Sequence, residues 1–238
     1  MSTARERLTN LVELASQSAP EKQRALATEL CDLLIDWPSD YSSAMRAPFE
    51  ALLERVARGL DRAARRQLAT RLAAYAQTPL DLMNGFFFDL PLESRNAILA
   101  RNDEANETLG DFTSDAGAES SLVEALRNSD RVDAALTLGE FLRIDSATAG
   151  HILDDRSAES LAVACKGAHL GRATFSVMAL LANERSPDAL DTSYAQLGQI
   201  DAIPQAGAER LLHFWRARRE AAPVPESTSQ QTLDYASA

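Results

Sequence analysis

LLERVARGLDRAARRQLATRLAAYAQTPLDLM, residues 52–83, decides the fold class. Leu52, Leu53 and Val56 continue an apolar stripe begun at Met45 and Phe49, with the spacing of three and four that marks one helix face. Gly59 falls near the end of that face, and Asp61 stands where its carboxylate can cap the next helix. Ala64, Leu68, Leu72 and Tyr75 carry the second stripe. Thr78-Pro79 then pairs a capping hydroxyl with a proline, the usual opening of another helix. Helix follows helix across short joints, and no apolar–polar alternation interrupts them.

The same period extends in both directions. Upstream, residues 4–16 place Leu8, Leu11, Val12 and Ala15 on one face. A helix from Ser18-Pro20 carries Leu26, Leu30, Leu33 and Leu34 and stops at Trp37-Pro38, because a residue before proline avoids helical backbone. Downstream, Asp89 and Pro91 open a helix that runs to about Ala100. Helices return at 119–128 and at 130–143, the latter striped by Val132, Ala135, Leu136 and Leu142. A short one follows Asp145. Two more cover 157–168 and 172–184, and Ser186-Pro187 opens one with Leu190, Tyr194 and Leu197. Pro204 opens the last, bearing Leu211, Leu212 and Trp215 and ending in Arg216, Arg218 and Arg219, cations suited to the negative end of a helix dipole. The reading is all-α, about thirteen helices, with neighbours pairing at roughly 35–45 residues per two helices, the period of HEAT-like repeats. It predicts a helical array or solenoid of antiparallel helix pairs.

Composition sets the divisions. Residues 102–119, NDEANETLGDFTSDAGAE, hold six acids and no base, and read as a polar connection between an N-terminal half (1–101) and a C-terminal half (120–222). The tail 223–238 has the composition of disorder. The formal net charge is −11. Residues 81–160 alone carry 17 acids against 6 bases, a balance of −11, whereas the flanking thirds stand near neutrality. Such a middle repels phosphates, so no nucleic acid is expected as a partner. No apolar run is long enough for a signal peptide or a bilayer span, and Cys31 and Cys165 lie far apart on apolar stripes as buried small hydrophobes. The expected setting is the cytoplasm.

The order of four segments resembles an uncharacterised bacterial family, domain of unknown function 2336. They are RLTNLVELASQ near the start, the stretch 52–83 quoted above, NAILARND, and SLAVACKGAHLGRATFSVMALL. Together they cover most of residues 5–222. The resemblance implies a helical, HEAT-like fold and brings no activity and no catalytic residue. NGFFFDLP departs from it, being more aromatic than the resemblance leads one to expect.

Candidate sites are few. No nucleophile elbow, phosphate loop or dinucleotide fingerprint occurs, so neither catalytic nor cofactor-binding residues are assigned. His151, with Asp154 and Asp155 one turn on, offers three metal-capable groups, but a structural zinc wants a fourth ligand, and no metal is expected. The segment 161–178 has the outline of a helix-turn-helix, with a turn at His169 to Gly171 and RATFS opening a second helix. This makes a DNA-binding regulator the alternative function. The VMALLANE that follows is apolar and then acidic, as two packed helices of an array would be. Arg55, Arg58, Arg62, Arg65 and Arg66 step by three or four and form either a solvated face or a basic dock for an acidic partner or for the chain's own acidic middle. Phe86, Phe87 and Phe88 cannot all lie on one core-facing stripe, since consecutive helical residues diverge by about 100°, so the segment is either buried on several sides or exposes an aromatic patch. With Asp111 and Phe112 of the acidic connection they are the expected partner-binding set, for another protein or for a second copy in a homodimer. The leading reading is a non-catalytic scaffold or adaptor in bacterial regulation.

Overall fold

The computed structural model describes residues 11, 13–15, 19–39, 41–105, 116–128, 130–183, 196 and 198–221. Among them no strand occurs, and twelve α-helices and two 3-10 turns are assigned. We number the helices α1 (Pro20–Ile35), α2 (Arg46–Arg58), α3 (Arg62–Ala73), α4 (Leu80–Gly85), α5 (Leu92–Glu104) and α6 (Ala116–Asn128). The remainder are α7 (Arg131–Leu142), α8 (Ser146–Asp154), α9 (Glu159–Gly167), α10 (Arg172–Asn183), α11 (Gln199–Ala202) and α12 (Gln205–Ala221). The 3-10 turns are Ser43–Met45 and Phe87–Asp89. The expected all-α class is the one observed.

Local chemistry starts and stops these helices. Asp61 accepts the Ala64 N–H at 2.9 Å and caps α3. Asp130 caps α7 through the Val132 and Asp133 amides, and Asp145 caps α8 through Thr148. Each cap satisfies amides that the first helical turn would otherwise leave unpaired. Thr78 behaves differently from its expected capping role. Its buried hydroxyl donates backward to the Leu72 carbonyl at 2.8 Å, tying off the end of α3, while α4 begins at Leu80. Asp89 likewise caps nothing, because its carboxylate is held by Arg65.

The apolar stripes meet in one core. Leu26, Leu30, Leu33 and Leu34 of α1 are buried, as are Leu53, Leu68, Leu72, Leu99 and Leu138. Leu11 and Leu14 of the first predicted helix join them. Cys31 and Cys165 are free, buried thiols, and burial pushes the Cys31 thiol up to about 11 and the Cys165 thiol up as well. On α7 the stripe assignment is corrected. Val132 and Leu136 are exposed, at 69% and 49%, and the core face is Leu138, Gly139 and Leu142. That helix is apolar on two sides, so period alone does not say which side turns inward.

Helix α12 organises the packing. It lies against α9 and α5 and also touches α4. Two glycines permit the approach. A Cβ on Gly207 would stand 2.4 Å from the Leu99 carbonyl oxygen of α5, and one on Gly167 of α9 would stand 2.6 Å from the Ala208 carbonyl oxygen of α12. Near its other end Arg216 donates to the Leu142 carbonyl and Arg219 to those of Gly139 and Ile144, so both serve the C-terminal end of α7. Arg218 pairs with Glu54 of α2. In a solenoid each repeat touches only its neighbours. The contacts of α12 with α4 and α5 reach much farther along the chain than that.

These contacts also bear on the expected halves. α5 runs through Glu104 and α6 starts at Ala116, so both ends of the 102–119 stretch are helical. Asn102 is buried, where its amide and that of Asn84 exchange hydrogen bonds at 2.8 and 3.1 Å. Asp111 and Phe112, the helix expected after Ser186-Pro187 and the tail 223–238 lie outside the described residues.

Candidate binding groove

The turn between α4 and α5 builds the site. Phe86 and Phe87 point inward, 2% and 0% exposed, and Phe87 meets Trp215 of α12 edge-on with ring centroids 5.9 Å apart. Phe88 is half-buried, stacked on Trp215 at 5.3 Å on one side and 5.4 Å from the His151 ring of α8 on the other. The aromatic run is therefore split. Phe86 and Phe87 belong to the core, which removes them from the expected partner-binding set, and Phe88 alone reaches a surface. A tight turn separates side chains that a continuous helix would have fanned over three faces.

That surface is one wall of an open groove of about 720 Å³. α3 contributes Arg62, Arg65 and Arg66; the turn and the start of α5 contribute Phe88, Asp89, Leu90, Pro91, Leu92 and Arg95; the end of α8 and the residues after it contribute His151, Asp154, Asp155, Arg156 and Ser157. Of the five arginines foreseen as a basic dock, Arg62, Arg65 and Arg66 line the groove. Arg55 and Arg58 do not; they are exposed on α2, because Gly59 to Asp61 turns the chain between the two helices.

Two lining arginines are already engaged. Arg65 sets Nε and Nη2 on one oxygen of Asp89, at 3.0 and 2.7 Å. Arg95 is buried and multiply bonded. Its Nε donates to the Leu90 carbonyl at 3.0 Å, Nη2 to Phe88 at 3.1 Å, and Nη1 to Asp155 at 2.6 Å, with Glu159 and Ser160 at 3.4 Å. Its guanidinium also stands 5.2 Å over the Phe87 ring. A single side chain thus ties the aromatic turn to the start of α9.

The two acids around Arg95 respond in opposite ways. Burial opposes ionisation of Asp155, but the Ser160 hydroxyl, the Arg95 guanidinium and Ser157 outweigh it and hold the carboxyl below its ordinary range. At Glu159 burial wins. With Asp155 adding repulsion and Arg95 only partly compensating, its carboxyl is pushed up to about 7. One guanidinium cannot hold two buried carboxylates fully ionised.

Sequence reading missed Arg95 and Arg156. For Arg95 a signal exists: Arg95, Ile98, Leu99 and Asn102 are the buried residues of α5 and follow a core-facing period, so a cation and an amide interrupt an apolar stripe. Polar groups on such a stripe need buried partners. Arg156 carries no comparable signal, because only tertiary folding brings it beside α3.

The remaining candidates fall elsewhere. His151, Asp154 and Asp155 go to different partners, namely Phe88, Arg131 and Arg95. No group of three metal-capable side chains occurs among the described residues. In the segment 161–178, Leu161, Ala162, Val163, Ala164 and Cys165 of α9 are buried. At the start of α10 the Gly171 N–H and the Thr174 hydroxyl both donate to Glu119, at 3.2 and 2.5 Å, and Arg172 pairs with Asp201 at 2.9 Å. Arg172 and Thr174 on this helix thus pair with this chain's own carboxylates, and the Ser176 hydroxyl donates to the Arg172 carbonyl. No helix among the described residues is long and apolar enough to cross a membrane. Comparison with family models, with curated proteins and with solved structures gives no match.

Proposed function

We propose that this protein is a non-catalytic scaffold or adaptor that binds another protein through the groove between α3 and the end of α8. The observation that carries the reading is electrostatic. The groove lining holds five arginines against three aspartates, a surplus of two positive charges in a chain of net −11. Positive charge concentrated against the sign of the whole molecule steers an oppositely charged partner and rejects others. The lining aspartates serve ion pairs with Arg65, Arg95 and Arg131, which suits a structural rather than a proton-transferring role. A cytoplasmic setting in bacterial regulation belongs to the same reading, and the free thiols of Cys31 and Cys165 suit a reducing compartment. Self-association through the aromatic run has lost two of its anchors to the core, so a different protein is the favoured partner.

The test is affinity capture from the native host with the wild-type chain and with Arg62→Glu/Arg66→Glu/Arg156→Glu. All three residues are exposed, so the variant should keep the wild-type melting temperature. At least one host protein should be captured by the wild type and lost by the variant. Identical capture by both would refute the groove as the binding surface.

A further inference from the structure

The groove's free chemistry is more specific than its net charge, and the inference drawn from it rests on the protein-binding reading above. Arg65 and Arg95 are spent on Asp89 and on the Asp155–Glu159 pair. Arg62, Arg66 and Arg156 have no side-chain partner among the described residues, and all three are exposed. Arg62 and Arg66 are four residues apart on α3, hence neighbours on one helix face. Arg156 follows α8 on the other flank of the aromatic turn, since Asp89 joins that turn to α3 and Phe88 joins it to α8. Between the two flanks lie the apolar groups of the turn and the start of α5, Phe88, Pro91 and Leu92, the last 43% exposed. Guanidinium therefore flanks an apolar strip on both sides.

We propose that the groove takes an extended peptide segment of the partner in which carboxylates flank a bulky apolar side chain. The carboxylates meet Arg62 and Arg66 on one flank and Arg156 on the other, and the apolar residue lies on Phe88, Pro91 and Leu92. Arginine forks match carboxylate geometry, and the Arg65–Asp89 and Arg95–Asp155 pairs hold the walls in place while the outer arginines remain available. A volume of about 720 Å³ accommodates a few residues of such a segment. Polyphosphate chains fit less well. Asp154, whose side chain is 69% exposed, stands on the rim, and residues 81–160 add a balance of −11. A peptide can place its charges discretely around these acids, whereas a nucleic-acid backbone repeats a negative charge at every step.

The experiment is selection of a random peptide library on the full chain, followed by affinity measurement with the enriched peptides. Peptides enriched on the wild type should carry at least two carboxylates around a Leu, Ile, Met or Phe. They should lose about tenfold or more in affinity on Arg62→Glu/Arg66→Glu/Arg156→Glu, and similarly when their acids are replaced by amides. Leu92→Ser, a change at an exposed position, should weaken binding several-fold while leaving its salt dependence intact. If the enriched peptides depend on the three arginines but are not acidic, the groove binds protein and the proposed peptide class is wrong. If no enriched peptide depends on the three arginines, both the class and the groove reading fall. Competition by a single-stranded oligonucleotide of equal length, as effective as the peptide itself, would also overturn the proposal.

Discussion

Replacing Gly207 by alanine should unfold this protein more readily, although alanine is ordinarily the better helix residue. In an exposed helix interior the exchange stabilises by about 1 kcal/mol, through reduced backbone freedom in the unfolded chain. At Gly207 the new Cβ would stand 2.4 Å from the Leu99 carbonyl oxygen and 3.3 Å from its carbon. Ordinary van der Waals contact begins near 3.4 Å, so α12 and α5 must separate by about 1 Å. The obstructing atoms are backbone and cannot rotate away. Over-packing of this kind costs about 1–3 kcal/mol. A gap approaching 1 Å also forfeits up to about half of each dispersion contact along the seam. The expected net loss is about 2 kcal/mol. Gly150 of α8 has nothing within 4 Å of its would-be Cβ, and Gly150→Ala should stabilise by about 0.5–1 kcal/mol. Urea unfolding followed by far-ultraviolet circular dichroism reads both as shifts of midpoint at constant slope. Opposite signs are predicted for the two substitutions. A Gly207→Ala variant at least as stable as the wild type would refute the close crossing of α12 over α5.

Three further outcomes follow from the groove and its supports. Arg95→Met should cost about 3–5 kcal/mol, because it strands Asp155 and Glu159 without their cation, and adding Glu159→Gln should recover part of that loss in the same denaturation assay. Glu159, with a carboxyl pushed up from an ordinary 4.5 to about 7, keeps its proton in the fold after the unfolded chain has lost its own. Its contribution is complete below pH 4.5 and is lost as pH rises toward about 7, at up to about 1.4 kcal/mol per unit. The stability of the wild type relative to Glu159→Gln should therefore fall over that window; a flat difference would contradict the assignment. Phe87→Ala should cost about 3–5 kcal/mol and Phe88→Ala markedly less, since the second side chain is only half-buried, and thermal unfolding of the two variants checks the order.

What the sequence made legible was whatever a few adjacent residues decide. Asp61 before an apolar helical stripe reads as a cap and acts as one, because capping needs only the three residues that follow. The stripes of α1 and α3 point inward as their period requires, except Tyr75, which lies past the end of α3 and is exposed. Legibility fails where two faces compete or where the partner is remote. Val132 and Leu136 look like core residues until Leu138, beside the foreseen Leu142, takes that place on α7. Thr78 has both a proline after it and the Leu72 carbonyl within reach, and the longer-range bond wins. The groove itself is assembled from α3, the aromatic turn and the residues after α8. Arg156 comes to line the same groove as Arg62 only through α12, which packs on α5 and α9, and through Arg95, which bonds across 60 residues to Asp155. Local periodicity contains no record of either link.

The central claim is that a partner protein sits in this groove, and site-specific photo-crosslinking tests it most directly. A photo-reactive residue in place of Leu92, 43% exposed on the groove, should crosslink a host protein, and the product should disappear in the Arg62→Glu/Arg66→Glu/Arg156→Glu background. The same residue in place of Tyr75, 46% exposed and outside the groove lining, should give no such product. Equal crosslinking from both positions, or crosslinking from Tyr75 alone, would contradict the account.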